Sequence, residues 1–186
     1  MAGATDLHID FLKAAVLFVA CVSAATDFLY QKIYNWLTLP AILLGLFAQT
    51  WFFGLAGLGQ AALGCGIGLL AYGWMYAIGV MGAGDVKLLM ALGALGGALF
   101  VADTAILGIV LGGIMAAFVL LSKGRIRDFS LRIARFILTV TSKHLTPEFP
   151  QIDHRLKMPF GIAIAAASVW VLFDNPLTRW GLRLWG

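Results

Sequence analysis

Apolar residues run along this chain in six stretches that are separated by short polar or glycine-containing turns. The stretches cover roughly residues 9–26, 36–53, 61–81, 86–102, 105–121 and 158–173. A helix needs about 17–25 apolar residues to cross a bilayer, so several stretches lie at or just under the lower limit. The pattern predicts an all-α fold, a polytopic integral membrane protein with about six transmembrane helices.

Composition agrees with a membrane protein that has little soluble mass. The chain has 186 residues, of which 61% are hydrophobic and 12% charged, and its mean hydropathy is +0.93. Soluble domains are nearer half apolar and a quarter charged. We expect a single membrane-embedded domain over residues 1–186. Cys21 and Cys65 form no CxxC pair, so the sequence suggests neither a disulfide framework nor a zinc site.

The positions of the basic residues predict the orientation in the membrane, because cytoplasmic loops are enriched in Lys and Arg. Placing the loop at about 122–157 in the cytoplasm puts ten of the thirteen basic residues inside. These ten are Lys32, Lys87, Lys123, Arg125, Arg127, Arg132, Arg135, Lys143, Arg155 and Lys157, and the other three are Lys13, Arg179 and Arg183. Both termini are then outside. Residues 126–140 of this loop fit either a helix on the inner membrane surface or an ordinary basic loop.

Two aspartates lie at boundaries of the predicted spans. Between Asp27 and Asp85 the chain crosses the membrane twice, through 36–53 and 61–81, so both acids are expected on the same face. Each acid could simply cap or anchor a helix end, and this explanation suffices for Asp103 and Asp174. An acid near hydrocarbon is costly, which makes two on one face a candidate site.

A pair of nearby carboxyl groups can hydrolyse a peptide bond. Like charges resist double ionisation, so such a pair retains one proton. The ionised acid can then deprotonate water while the protonated acid hydrogen-bonds the carbonyl oxygen. Gly82 and Gly84, just before Asp85, leave room for a substrate backbone and allow unusual backbone angles.

At these residues the sequence resembles the prepilin peptidases, membrane aspartic proteases of the GxGD type. Their GxGDxKLL pattern is matched in full by "GAGDVKLL", with Gly82, Gly84, Asp85, Lys87, Leu88 and Leu89. Their first pattern is an Asp followed seven residues later by Pro and then Leu-Thr. Asp27 is followed by Ile33, Tyr34, Asn35, Leu37 and Thr38, with Tyr34 where Pro is usual. A Pro-Phe-Gly opening the last span is matched by Pro159, Phe160 and Gly161.

The resemblance implies an endopeptidase of the bacterial inner membrane. Its members remove short basic leaders from type IV prepilins and pseudopilins at the cytoplasmic face, and Asp27 and Asp85 would be the catalytic acids. The chain is similar to the short, peptidase-only form found with tight-adherence (Flp) pili, which lacks the CxxC region and the methyltransferase activity. No cofactor or metal is expected. The expected partners are prepilin or pseudopilin substrates and membrane lipid, without nucleic acid.

Two other functions remain open at this point. Intramembrane acids and glycine-broken helices also serve proton- or ion-coupled carriers. A non-catalytic membrane subunit of a secretion or pilus machine would use both acids as anchors. Among the residues expected to shape the site or bind substrate are Gly82, Gly84, Lys87, Pro159, Phe160 and Gly161. Lys87 has two interpretations: a basic anchor at the inner boundary, or a group that keeps Asp85 ionised or meets substrate.

The charge distribution predicts which segments face the outside. In a background with Cys21→Ala and Cys65→Ala, a cysteine added after Gly186 should react with an impermeant maleimide applied from outside. Ser142→Cys should react only after the membrane is permeabilised. The reverse labelling pattern would contradict the predicted orientation.

Overall fold

The computed structural model describes residues 2–122 and 160–174, and every regular element in these residues is an α-helix. The helices are α1 (Ala2–Tyr30), α2 (Asn35–Ala77), α3 (Ala83–Gly96), α4 (Ala98–Ser122) and α5 (Phe160–Phe173). The predicted all-α class is confirmed. The predicted loop at 122–157, apart from Ser122, and Pro159 lie outside the described residues.

Three of these helices are long and apolar enough to cross a membrane. The candidate spans are Leu7–Tyr30, Asn35–Ala77 and Ala98–Val119, and Phe160–Phe173 is a shorter apolar helix. Large apolar side chains such as Leu43, Trp51 and Phe118 are exposed along them. So much exposed apolar surface suits a hydrocarbon surrounding. The count of six crossings stays a prediction.

The chain divides into two compact units. One consists of Met1–Gly112 and Pro159–Gly186, and the other of Gly113–Met158. In the second unit, the described part is the end of α4 up to Ser122. The packing and the site described below belong to the first unit. The prediction of a single domain over residues 1–186 stays a prediction.

The first half of α2 runs parallel to α3. Near the start of both helices, Lys87 of α3 hydrogen-bonds Asn35 of α2. Further along, a Cβ placed on Gly45 would lie 2.6 Å from the carbonyl carbon of Ala94. Residue numbers therefore increase together along the two helices.

The second half of α2 runs antiparallel to α3. Gly64 packs backbone to backbone against Gly93, and a Cβ on Gly68 would lie 2.8 Å from the carbonyl oxygen of Leu89. Residue numbers therefore increase along the second half of α2 as they decrease along α3. The 43 residues of α2 therefore form a hairpin of two helical halves, with α3 packed against both. As one straight helix they would extend about 65 Å, roughly twice the hydrocarbon thickness.

Gly54 is the residue at which α2 reverses. Its φ of 64° and ψ of −147° are non-helical and lie close to a region that is essentially restricted to glycine. The expected turn at 54–60 is therefore wrong in extent, because helix resumes directly after Gly54. The helix also ends at Ala77, four residues before the predicted end at 81.

The predicted boundary between the fourth and fifth stretches is also wrong. The break lies at Gly97, which has a φ of 86°, while Asp103 and Thr104 are buried inside α4. A helix end leaves backbone groups without helical partners. Here Gln49 Nε2 donates to the Leu95 carbonyl oxygen over 3.0 Å, which helps to satisfy the end of α3.

The core is centred on α3. Leu88, Leu89, Leu92 and Leu95 are fully buried, and α3 packs against α1, α2 and α5. The end of α3 that carries Asp85 is consequently surrounded by other helices.

The reversal at Gly54 predicts an asymmetry between two glycines of α2. Gly54→Ala should lower the thermal unfolding midpoint of the detergent-solubilised protein, because strained backbone of this kind costs about 1–3 kcal/mol. Gly59→Ala is the matched control, since a Cβ there meets nothing within 4 Å. That change should be neutral or stabilising in a helix. Equal midpoints for the two variants would contradict the assigned turn.

Candidate active site

Asp27 lies within the last turn of α1, not after the helix as its sequence position suggested. The helix continues to Tyr30, and the Asp27 side chain is only 6% exposed. The chain then leaves the helix through Gln31, which has a φ of 51°. A negative charge at the C-terminal end of a helix is unfavourable with respect to the helix dipole. Its stabilisation must come from another element.

The N-terminus of α5 supplies that stabilisation. The backbone N–H groups of Gly161 and Ile162 lie close to the Asp27 carboxyl group and act favourably on its charge. A Cβ on Gly161 would lie 2.8 Å from Asp27 Oδ2, so only glycine permits this approach. Oδ2 itself is buried and makes no hydrogen bond to any described residue. Asp27 therefore has one oxygen left for a proton, a water molecule or a substrate group.

Asp85 occupies the first turn of α3, with Gly82 as the N-cap residue. The Gly82 N–H group lies next to the Asp85 carboxyl group, and the Asp85 N–H donates to the Gly82 carbonyl oxygen over 3.2 Å. This is one half of a capping box, in which the side chain of the third helical residue reaches back to the N–H of the cap. The other half is missing, because Gly82 has no side chain. The interpretation of Asp85 as a capping residue is thus partly right. Capping does not explain why Asp85 has a second carboxyl group as its neighbour.

That neighbour is Asp27. The two carboxyl groups are close enough for their charges to repel each other, and α1 packs directly against α3. The hairpin in α2 explains the meeting, because it returns the chain to the end of the bundle from which it left. The acids come from positions 58 residues apart (85 − 27) and reach one site.

Tyr72 is a site neighbour that the sequence analysis missed. It is fully buried, it lies within electrostatic reach of Asp85, and its hydroxyl donates to the Ala105 carbonyl oxygen over 2.9 Å. Its ring packs edge-on against Phe160, with 5.9 Å between ring centroids. Phe160 thus holds the start of α5 against α2. A buried tyrosine in an apolar stretch needs a hydrogen-bond partner, and this was the available signal.

Ile33 is the second missed neighbour. A Cβ on Gly84 would lie 3.0 Å from Ile33 Cβ, and a Cβ on Gly161 would lie 2.8 Å from Ile33 Cδ1. Ile33 therefore lies between the starts of α3 and α5. Ile33 stands in the motif that begins at Asp27, but its place there did not indicate these contacts.

Lys87 makes a hydrogen bond that the sequence analysis did not consider. Its Nζ donates to Asn35 Oδ1 over 2.9 Å, at an exposed position between α3 and the first residue of α2. The structure therefore assigns it a contact that joins two helices. It does not test the anchoring role. Of the predicted site residues, Asp27, Asp85, Gly82, Gly84, Phe160 and Gly161 come together, and Lys87 lies at the edge.

Over the residues that the structure describes, no group of three or more His, Cys, Asp or Glu side chains could hold a metal ion.

A comparison with protein families matches residues 14–117 to the type IV leader peptidase family. The match covers more than half of the chain and includes both aspartates. The chain belongs to the type IV leader peptidase family. No curated protein and no solved structure matches it significantly. This membership supports a membrane-embedded, leader peptidase-like protease, and it confirms the resemblance that the GAGDVKLL motif indicated.

The hydrogen bond between Lys87 and Asn35 should be measurable as a coupling. Lys87→Ala and Asn35→Ala should each lower the thermal unfolding midpoint slightly, because such a bond contributes about 0.5–1.5 kcal/mol. The double variant should lose little more than either single variant. Lys87→Gln, which keeps a donor, should lose less than Lys87→Ala.

Lys32→Ala is the control for loss of a nearby exposed lysine, and it should leave the midpoint unchanged. Strictly additive losses at Lys87 and Asn35 would contradict the contact.

Proposed function

We propose that this member of the type IV leader peptidase family is an aspartic endopeptidase. Asp27 and Asp85 are its catalytic pair, and it removes the N-terminal leader from Flp-type prepilins or pseudopilins at the cytoplasmic face of the bacterial inner membrane. The single observation that carries the proposal is the approach of the two carboxyl groups at the starts of α3 and α5.

The pair acts as a general base and a general acid. The ionised carboxylate takes a proton from a water molecule, which attacks the scissile carbonyl carbon, while the protonated carboxyl donates a hydrogen bond to the carbonyl oxygen. A tetrahedral intermediate forms. Proton transfer to the leaving nitrogen then breaks the C–N bond and regenerates the pair. Because the two groups titrate together, we describe them as a unit and do not assign fixed roles.

The surroundings of the pair favour keeping one negative charge. The partial positive charges at two helix N-termini, those of α3 and α5, face the carboxyl groups. Asp27 Oδ2 is buried and has no hydrogen-bond partner among the described residues, so it retains the capacity to accept a hydrogen bond. Gly82 is exposed beside Asp85 and leaves access for a substrate backbone.

The cytoplasmic location of the site rests on charge. Lys32 lies two residues after the end of α1, and Lys87 lies in the second turn of α3, so two basic residues flank the end that carries the acids. Basic residues at this end favour its placement on the cytoplasmic side. The sequence contains no CxxC pair, which supports peptidase activity without methyl transfer. Prepilins or pseudopilins and membrane lipid are the proposed partners, without nucleic acid.

Removal of either carboxyl group should abolish cleavage. Asp27→Asn and Asp85→Asn each leave a single carboxyl group, which cannot act at once as the base for water and the acid for the carbonyl oxygen, so the double variant should lose little more than either single variant. Asn has a similar size and no charge, so insertion should persist. The measurement is leader cleavage of a co-expressed prepilin, normalised to the amount of each variant in the membrane.

Asp10→Asn is the control, because Asp10 is exposed toward the opposite end of α1 and pairs with Lys13 over 3.8 Å. It should cleave at the wild-type rate. A well-inserted Asp27→Asn or Asp85→Asn variant that cleaves near the wild-type rate would refute the catalytic pair.

A further inference from the structure

The turn between α1 and α2 packs against the starts of α3 and α5, the helix ends that face the two acids. Four residues, 31–34, connect the helices, and Gln31 is the one non-glycine residue with positive φ in the described chain. That conformation is uncommon for a residue with a side chain and persists where surrounding contacts enforce it. The turn is therefore held in place by its neighbours.

Those neighbours are the glycines that precede or oppose the acids. Gly84 immediately precedes Asp85. A Cβ added to Gly84 would have Ile33 Cβ as its nearest neighbour, at 3.0 Å. Gly161 lies against Asp27, and an added Cβ would lie 2.8 Å from Ile33 Cδ1 and 2.8 Å from Asp27 Oδ2. Ile33 thus contacts both helix starts that stabilise the carboxyl groups. Its side chain is partly buried against the main core.

Protein interiors are close-packed, so a side chain between two backbone segments determines how closely they approach. The segments on either side of Ile33 are the ones that fix Asp85 and face Asp27. The separation of the carboxyl groups in turn determines whether they can share a proton and act on one water molecule. A residue that touches neither reactant can therefore control the rate.

We propose that Ile33 is a positioning residue, whose side chain, inserted between Gly84 of α3 and Gly161 of α5, sets the spacing of the catalytic carboxyl groups. This inference rests on the proposed peptidase function and assigns a role to the turn between α1 and α2. Ile33 acts through the aspartates and contributes no group to the reaction.

The first test is the division of the effect between kcat and KM. Ile33→Ala should lower kcat for prepilin cleavage roughly 10- to 100-fold, since displacements near 1 Å have that effect on positioned groups. KM should stay within about twofold of wild type, because substrate contacts elsewhere are retained. Both constants are measured on purified protein, scaled to the folded fraction. A wild-type kcat in Ile33→Ala would overturn the proposal.

The second test uses the atoms that would collide. Gly161→Ala should reduce kcat, and Ile33→Val should restore only part of it, because valine lacks the Cδ1 atom that crowds position 161 while Asp27 Oδ2 still lies 2.8 Å from the added Cβ. Gly84→Ala should also reduce kcat. Ile33→Val should not restore that loss, since valine keeps the Cβ atom that crowds position 84. Restoration of both glycine variants, or of neither, would overturn the proposal.

Ile42→Val is the matched control for loss of one methyl group. Ile42 is also a partly buried isoleucine against the same core, within α2, and its change should not rescue Gly161→Ala. A rescue by Ile42→Val would show general loosening and overturn the proposal.

Failure of the catalytic assignment itself can be recognised separately. In that case the wild type would not cleave, or Asp27→Asn would. Thermal unfolding midpoints of the same variants report on packing independently of catalysis. Ile33→Val should raise the midpoint of Gly161→Ala and not that of Gly84→Ala. A selective rescue of the midpoint with no change in kcat would leave Ile33 a structural residue and would refute its positioning role.

Discussion

The repulsion between Asp27 and Asp85 is partly offset by the ends of two helices. A charge left uncompensated in apolar surroundings costs several kcal/mol, of the order of 2.5–3.5 kcal/mol at the centre of a membrane helix. Here Asp85 meets the N–H of Gly82 at the start of α3, and Asp27 meets the start of α5. Since both helix starts must converge on one point, the directions of α1, α3 and α5 are fixed relative to one another.

Holding α3 at that point requires close packing. Lipid tails are as apolar as leucine side chains, so burial alone does not drive membrane helices together, and close backbone contact contributes instead. Gly64 and Gly93 pack with no space for a side chain on either. The first half of α2 approaches α3 in the same way at Gly45. Both contacts depend on the reversal at Gly54, which brings the two halves of α2 to one helix.

The meeting of the two acids was predictable because it requires only an even number of crossings between them. It does not depend on where each helix begins and ends. Two antiparallel segments between Asp27 and Asp85 return the chain to its starting end, whether the turn is long or short. The bounds themselves were not predictable. Gly54 opens the predicted turn after 36–53, but Gly97 stands inside the predicted stretch 86–102, and hydropathy does not indicate which of 22 glycines takes a positive φ. Tertiary contacts make that choice, as with Gln49 at the end of α3.

The contacts of Ile33 were out of reach of sequence reasoning for a related reason. Ile33 stands in the motif that begins at Asp27, but segments that are distant in the chain create its environment, so the motif did not indicate what it touches. Tyr72 differs, because a hydroxyl in an apolar helix requires a partner wherever it is placed. Sequence therefore indicated the chemistry of the site, through rare polar groups in apolar stretches. It did not indicate the spacing, which apolar contacts determine.

The short length of α3 follows from the same arrangement. Its 14 residues extend about 21 Å, less than the roughly 30 Å of hydrocarbon. A lipid-facing helix of that length would leave its terminal backbone groups unsatisfied, but irregular backbone is tolerated where protein surrounds it. α3 meets that condition, with Gln49 at its end and the residue 31–34 turn at its start. A short central helix can thus carry Asp85 in its first turn among other helices, while the N-cap residue Gly82 beside it stays exposed.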